Sequence, residues 1–284
     1  LAEVYVADNP DPNNYLSQMQ DADALIVRIA KCDANVILNS PKLKVIGRTG
    51  VGYDSVDVAE ATRRGIPVVI TPGSNNRSVA EHAVAMMFSL SKNLYEAQQE
   101  MCRGNWEIRG AKKAFELEGK TVGVIGLGAI GVKVANVAKH LGMEVYGYDP
   151  YVSVAAAWNL SRDVKHVINV EDIYADCDMI TIHVPLLDST KGMIDQDAIA
   201  KMKDGVILLN FARDLLVDEK AVLEGIESGK IRRYVSDFPN PTTAGQKGCI
   251  VIPHLGASTE ESEDNCAKMA VDEMMDYLLS LIHI

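Results

Sequence analysis

The hexapeptide Gly126-Leu127-Gly128-Ala129-Ile130-Gly131 follows the apolar run Val122–Ile125 and opens a helix-compatible stretch, Val132 to Leu141. A strand, a glycine turn and a helix start in that order suit a pyrophosphate. The first glycine permits the tight turn, the second lets the anion approach the backbone, and the third lets the helix lie against the strand. The helix N-terminus then offers unpaired N–H donors. Asp149, 18 residues past Gly131, closes the next strand, Glu144–Tyr148. A carboxylate there accepts from both ribose hydroxyls of NAD and repels the 2′-phosphate of NADP. The predicted cofactor is therefore NAD, with Gly126, Gly128, Ala129, Ile130, Gly131 and Asp149 as its contacts. A plain βα turn would explain the glycines alone, and a turn before Pro150 would explain Asp149 alone; finding both in register is what points to a site.

A dinucleotide that takes up hydride needs a partner group to hold the substrate and another to move a proton. Arg213 follows the strand Val206–Leu209 and His254 follows Ile250–Ile252, both at strand ends, where open α/β sheets bind ligands. Arginine grips a carboxylate with two donors, and imidazole titrates near neutral pH. Singly, Arg213 also reads as a surface ion-pair residue and His254 as a loop histidine. His82, His140, His166 and His183 are read as structural, except that His183-Val184-Pro185 closes a strand beside the expected cofactor.

These residues require strands to carry them. Apolar runs alternate with helical stretches along the chain, which predicts an α/β protein with two doubly wound parallel sheets. The first strand group is Val4–Val6, Ala24–Val27, Lys44–Ile46 and Pro67–Ile70, followed by an amphipathic helix over Ser78–Leu94. Ser78 and Glu81 form a capping-box pattern at its start. The stretch from Met101 to Lys120, with Trp106, Arg103, Arg109, Lys112 and Lys113, reads as an interdomain connection. A second group then runs Val122–Ile125, Glu144–Tyr148, Met179–His183, Val206–Leu209, Tyr234–Asp237 and Ile250–Ile252, and an acidic helix covers about 259–278.

Composition narrows the partners. The 284 residues are 48% hydrophobic and 24% charged, the balance of a packed protein. A net charge of −11 repels nucleic acid and anionic membrane on average, so a small-molecule partner is expected, with neither nucleic acid nor membrane. No metal is expected. The five cysteines, Cys32, Cys102, Cys177, Cys249 and Cys266, stand apart without paired spacing, which predicts buried thiols in a reducing cytoplasm. The chain opens at Leu1 and runs straight into Val4–Val6, so further residues upstream are expected. The segment Leu279–Ile284 resembles a translated sequencing adapter and is set aside as a suspected scar.

Six segments occur in the order of the D-2-hydroxyacid dehydrogenase family, which the chain resembles over about 24–270. They are Gly47–Asp54, Ser74–Glu81, Gly126–Gly131, His183-Val184-Pro185, Asn210–Arg213 and Pro253–Gly256. The first two look most like the branch of the family that oxidises D-3-phosphoglycerate to 3-phosphohydroxypyruvate at the entry to serine synthesis. The resemblance implies a Rossmann NAD domain over 94–264, inserted into a flavodoxin-like substrate domain of 1–93 plus 265–284, and a homodimer or higher homo-oligomer. It implies that His254 takes the proton from the C2 hydroxyl, that Arg213 holds carboxylate and carbonyl, and that Asp237 orients the carboxamide of the cofactor. Gly50, Val51 and Gly52 would cradle the substrate carboxylate, with Asn75 nearby, and Arg48 would meet a substrate phosphate. Thr71, Val184, Phe211, Ala212, Leu255, Gly256 and Ala257 would line the cofactor. Arg109, Lys112 and Lys113 would add positive charge at a dimer interface or simply form a solvated face.

The pattern departs from the family in two places. The family has a glutamate that pairs with the histidine, whereas Ser236–Pro241 is shorter and lacks it. Asn240, in the nearest position, is expected to orient His254, with a lower kinetic pKa than a carboxylate partner would give. Asp214 stands where the family has glycine, and it would tether Arg213 or temper its charge. Two rivals remain: a sister enzyme for an unphosphorylated acid such as lactate, glycerate or glyoxylate, and a non-catalytic NAD(H)-sensing scaffold.

Overall fold

The computed structural model describes residues 2–108 and 113–280. Arg109, Lys112 and the last four residues of the suspected scar lie outside the described residues. The chain divides into two compact units, Leu1–Asn75 with Thr259–Ile284, and Asn76–Ser258.

In the first unit, β1 (Ala24–Val27), β2 (Val45–Arg48) and β3 (Val68–Val69) form a parallel sheet in that order. The short helices α1 (Leu16–Met19), α2 (Ala34–Leu38) and α3 (Val58–Arg63) accompany it. Asp33 caps α2 by accepting from Val36 N at 3.1 Å, and Asp57 caps α3 by accepting from Glu60 N at 2.9 Å. Along β2, neighbouring residues face opposite sides of the sheet. Ile46 packs into a core with Val36, Ile37 and Ala61, while Gly47 turns to Met274 of the final helix, Glu260–Leu278. A Cβ on Gly47 would overlap the Met274 sulfur, so a larger residue there would force that side chain to move. Val4–Val6, expected as a strand, is unpaired, with Val4 and Val6 78% and 79% exposed. Three β-branched or aromatic residues favour extension, but a strand also needs a neighbour to accept its ladder hydrogen bonds.

The second unit carries α4 (Asn76–Ser91), α5 (Leu94–Cys102), β4 (Thr121–Ile125), α6 (Ala129–His140), β5 (Glu144–Tyr148), α7 (Val154–Asn159) and β6 (Lys165–His166). It continues through α8 (Val170–Asp176), β7 (Met179–Ile182), α9 (Gln196–Lys201), β8 (Val206–Asn210), α10 (Glu219–Glu227), β9 (Ile231–Ser236) and β10 (Cys249–Val251). All seven strands are parallel, in the order β10-β9-β8-β7-β4-β5-β6. The chain winds outward from β4 to β6 and then returns to β7 on the other side. The carboxyl ends of β4 and β7 therefore flank the crevice where such sheets bind ligands. Both faces are covered: Val122, Val124, Ile207, Leu209 and Val235 enter one core, and Ile125, Ile180, Ile182, Leu208 and Tyr234 the other.

Both boundaries differ from the sequence reading, which placed residues 76–93 in the substrate domain and 259–264 in the NAD domain. Helix α4 belongs to the second unit because its apolar stripe, Ala80, Ala83, Met87 and Leu90, packs with Val132, Val134, Ala135 and Ala138 of α6. Met87 is fully buried there, and burial of one such side chain stabilises by about 2 kcal/mol. Strand β6 was unforeseen, being two exposed polar residues. Of the cysteines expected inside, Cys102 is exposed and Cys249 half-buried.

Candidate active site

The glycine turn is shaped by a lack of room. Gly126 has φ +96°, and a Cβ on it would lie 2.7 Å from the His183 carbonyl. A Cβ on Gly131 would overlap the carbonyl oxygen of Gly126. Gly128 is the opposite case, since nothing lies within 4 Å of where its Cβ would be. It is the N-cap of α6 and supplies no side-chain acceptor, so the first-turn N–H groups face open space with the helix dipole behind them. Gly128 and Ala129 are exposed and Ile130 half-buried. Asp149 is pinned beside this turn: Oδ2 accepts from Leu127 N at 2.9 Å and Oδ1 from Tyr151 N at 2.8 Å. Each oxygen keeps a lone pair for a ribose hydroxyl. An open cradle of N–H donors beside a fixed carboxylate fits the diphosphate and ribose of NAD.

Beside the turn, His183 Nε2 bonds Thr181 Oγ1 at 2.9 Å. The residue keeps partial exposure, yet its ring is packed deeply enough that burial pushes the imidazole down to about 4. It is neutral at physiological pH. Val184 and Ala212 pack on one core and Phe211 is buried in the other, its ring edge-on to His82 at 5.2 Å.

Arg213 and His254 leave the same edge of this sheet. Asn210, fully buried at the end of β8, builds the arginine's turn: its Nδ2 donates to Arg213 O at 2.8 Å and its Oδ1 accepts from Ala212 N at 3.2 Å. Arg213 Nη1 donates to Ala212 O at 2.7 Å. Asp214 Oδ1 accepts from Leu215 N at 2.8 Å, a local cap. His254 follows β10, and β9 lies between β8 and β10, so the two strand ends are about 10 Å apart. An arginine side chain spans much of that distance.

The histidine loop is held from below. Asp237, 2% exposed at the end of β9, accepts from Leu255 N through Oδ1 and from Gly256 N through Oδ2, each at 2.8 Å. Ser78 Oγ on α4 donates to Gly256 O at 2.7 Å. His82 Nε2, a further α4 group, lies 3.8 Å from Asp237 Oδ1. His254 itself has φ +54°, unusual outside glycine and sustained by these bonds on its neighbours. Sequence reasoning gave Asp237 to the cofactor carboxamide; here both of its oxygens serve the backbone next to His254. Leu255 is exposed, Gly256 buried and Ala257 half-buried.

Asn240 does not orient the histidine. Its Nδ2 donates to Glu219 Oε1 and, at 3.3 Å, to Phe238 O; its Oδ1 accepts from Thr242 N and Thr243 N, both at 3.0 Å, and from Thr243 Oγ1 at 3.1 Å. An Asn before Pro in such a run is an Asx turn, and its side chain is engaged by its own loop. Glu219, which sequence reasoning missed, is half-buried, and its carboxyl is raised above the usual range chiefly by burial, against a lowering hydrogen bond from Asn240. Phe238, also missed, is the residue that does touch His254: the ring centroids are 4.9 Å apart at 58°.

The other candidates lie in the first unit. Gly50 has φ +146°, donates to Arg48 O at 2.9 Å and accepts from Thr71 N at 3.0 Å. The Arg48 guanidinium folds over this turn and donates to Thr49 O. Val51 is exposed, while Gly52 and Asn75 are half-buried. Thr71, expected to line the cofactor, is fully buried and its Oγ1 accepts from Ser74 Oγ at 3.1 Å.

Comparison with known proteins adds to this geometry. Residues 84–256 match the family described as D-isomer specific 2-hydroxyacid dehydrogenase, NAD binding domain. The chain is 42% identical over 269 residues to D-3-phosphoglycerate dehydrogenase of Mycobacterium tuberculosis, covering 92% of this chain and 50% of that protein. It is 39% identical over 286 residues to the protein of the same name from Methanocaldococcus jannaschii, covering 98% and 54%. The chain thus spans about half the length of these curated relatives. Among solved structures it resembles D-lactate dehydrogenase from Aquifex aeolicus complexed with NAD and lactic acid, with a TM-score of 0.80, 26% identity and coverage of 93% and 85%.

Proposed function

This chain belongs to the D-isomer specific 2-hydroxyacid dehydrogenases, and we propose that it serves the NAD-dependent oxidation of D-3-phosphoglycerate to 3-phosphohydroxypyruvate. The observation that carries the reading is that Arg213 and His254 leave one edge of the sheet whose first βα turn is the open glycine cradle. In the forward direction His254 accepts the proton of the C2 hydroxyl while the C2–H bond breaks and C2=O forms. Bound NAD supplies the acceptor for that hydride. Arg213 pairs with the substrate carboxylate and with the oxygen at C2, and so fixes which face of C2 is offered. The proton on His254 then passes to water.

The phosphate end of the substrate is assigned to Arg48, its carboxylate also to the backbone of Gly50, Val51 and Gly52, with Asn75 beside them. Val184, Phe211, Ala212, Leu255, Gly256 and Ala257 are assigned to the cofactor. Support for the phosphorylated substrate comes from the relatives named for it. A homodimer is part of the same reading, supported by the exposed apolar Leu94, Tyr95 and Trp106.

The test is NADH formation, followed by absorbance, over a panel of D-2-hydroxy acids with the wild-type protein and Arg48→Ala. The proposal expects D-3-phosphoglycerate to be the best substrate, and expects the variant to lose at least about 10-fold more on it than on lactate or glycerate. Equal losses on all acids would leave an unphosphorylated substrate as the better reading. Tight NADH binding with no turnover of any acid would leave the scaffold.

A further inference from the structure

Among the described residues the His254 imidazole makes no hydrogen bond and no ion pair; what it touches is the Phe238 ring, 4.9 Å away. From this contact we propose that Phe238 is the positioning residue of His254, fixing the imidazole by packing where it has no polar partner. The proposal rests on the acid–base role given to His254 above.

Three features argue that the contact is built rather than incidental. The backbone of Phe238 is held on both sides by side chains: its N–H donates to Ser236 Oγ at 3.1 Å, and its carbonyl accepts from Asn240 Nδ2 at 3.3 Å. Ser236 is fully buried in β9, so one anchor is part of the sheet. The other anchor is braced in turn, because Asn240 Nδ2 also donates to Glu219 in the first turn of α10 and its Oδ1 closes the Thr242–Thr243 turn. The imidazole backbone is fixed separately, through Asp237 and the Leu255 and Gly256 amides. With both backbones set, the remaining freedom is the rotation of the histidine side chain, and a tilted aromatic neighbour narrows it. Aromatic pairing of this kind biases such an equilibrium by about 2- to 10-fold beyond plain burial, and misplacing a proton acceptor by about an ångström multiplies that into the rate.

The experiment compares Phe238→Leu, which keeps apolar bulk, Phe238→Tyr, which keeps the ring, and His254→Asn, all in the full protein. Rates are normalised to the NADH-binding sites found by fluorescence titration. The expected result is a kcat about 10-fold lower in Phe238→Leu with KM and NADH affinity within about 2-fold, restoration to within about 2-fold in Phe238→Tyr, and loss of turnover in His254→Asn. In the wild type, the His254 Cε1–H proton resonance should carry a ring-current shift that Phe238→Leu removes. An unchanged normalised kcat in Phe238→Leu, or an unchanged resonance, overturns the positioning role while leaving His254 as the base. Full turnover by His254→Asn overturns the functional reading instead.

Discussion

The glycine turn after β4 and the histidine loop after β10 sit at one edge of the same sheet, and they are held by opposite means. Around Gly126 and Gly131 the backbone has no room to be anything else, because carbonyl oxygens occupy the places where side chains would go. Around His254 there is room, and position comes from hydrogen bonds that its neighbours Leu255 and Gly256 make with Asp237, which follows β9, and with Ser78 on α4. A turn shaped by exclusion binds a ligand by its backbone and tolerates no added atoms. A loop shaped by polar contacts presents a side chain and fails gradually as each contact is lost.

The two kinds of support should therefore break differently. The largest effect is expected at Gly131→Val, which drives a branched side chain into the Gly126 carbonyl. The cost is about 3 kcal/mol of stability, read by urea unfolding, together with loss of NADH binding at micromolar concentrations. If the variant binds NADH normally, the turn is not held by exclusion.

Asp237→Asn comes next. An amide placed against two backbone N–H donors can accept only one of them, which leaves a buried donor unpaired and costs about 2 kcal/mol. On this account kcat falls more than NADH affinity does, because the histidine loop loosens while the glycine turn stays. Equal losses in both would mean that the two regions are not separately supported.

A pH titration probes the turn side at similar size. The folded pKa of His183 is about 4, below its unfolded value. The unfolded chain alone takes up this proton between about pH 6.5 and 4, so the contribution is fully present above pH 6.5 and is lost as pH falls through that window. Between pH 7 and 5 the stability difference between wild type and His183→Gln should shrink by about 2 kcal/mol. A difference independent of pH would show that the ring is not buried as described.

Smaller effects complete the series. Ser78→Ala removes one bond to Gly256 O and should cost about 1 kcal/mol, with a modest fall in kcat. Thiol labelling should change no stability at all: at pH 8 in the native state Cys102 is modified, whereas Cys32 and Cys177, buried and pushed up to about 12, react only on unfolding.

The same contrast decides what could be read without a structure. Gly126, Gly128, Gly131 and Asp149 were legible because steric demands and fixed spacing along one βαβ unit leave a local signature. Arg213 and His254 were legible as strand-end residues, though their roles came from family resemblance. The supports of Phe238 and of the His254 loop were not legible, since Glu219 lies 21 residues from Asn240 and Ser78 lies 178 from Gly256. The stripe on α4 announced that the helix packs, but a stripe does not say against what, and its placement in the wrong unit followed. Val4–Val6 shows the converse: a propensity for extension carries no information about whether a neighbouring strand exists.

The central claim is that His254 and Arg213 act on one substrate beside a separately built NAD cradle. Its most direct test is steady-state NADH formation from D-3-phosphoglycerate by Arg213→Gln and His254→Asn, with NADH affinity measured on the same samples. The account predicts a loss of at least about 100-fold in kcat/KM for each variant and NADH affinity within about 3-fold of wild type. Turnover at the wild-type rate by either variant would contradict it.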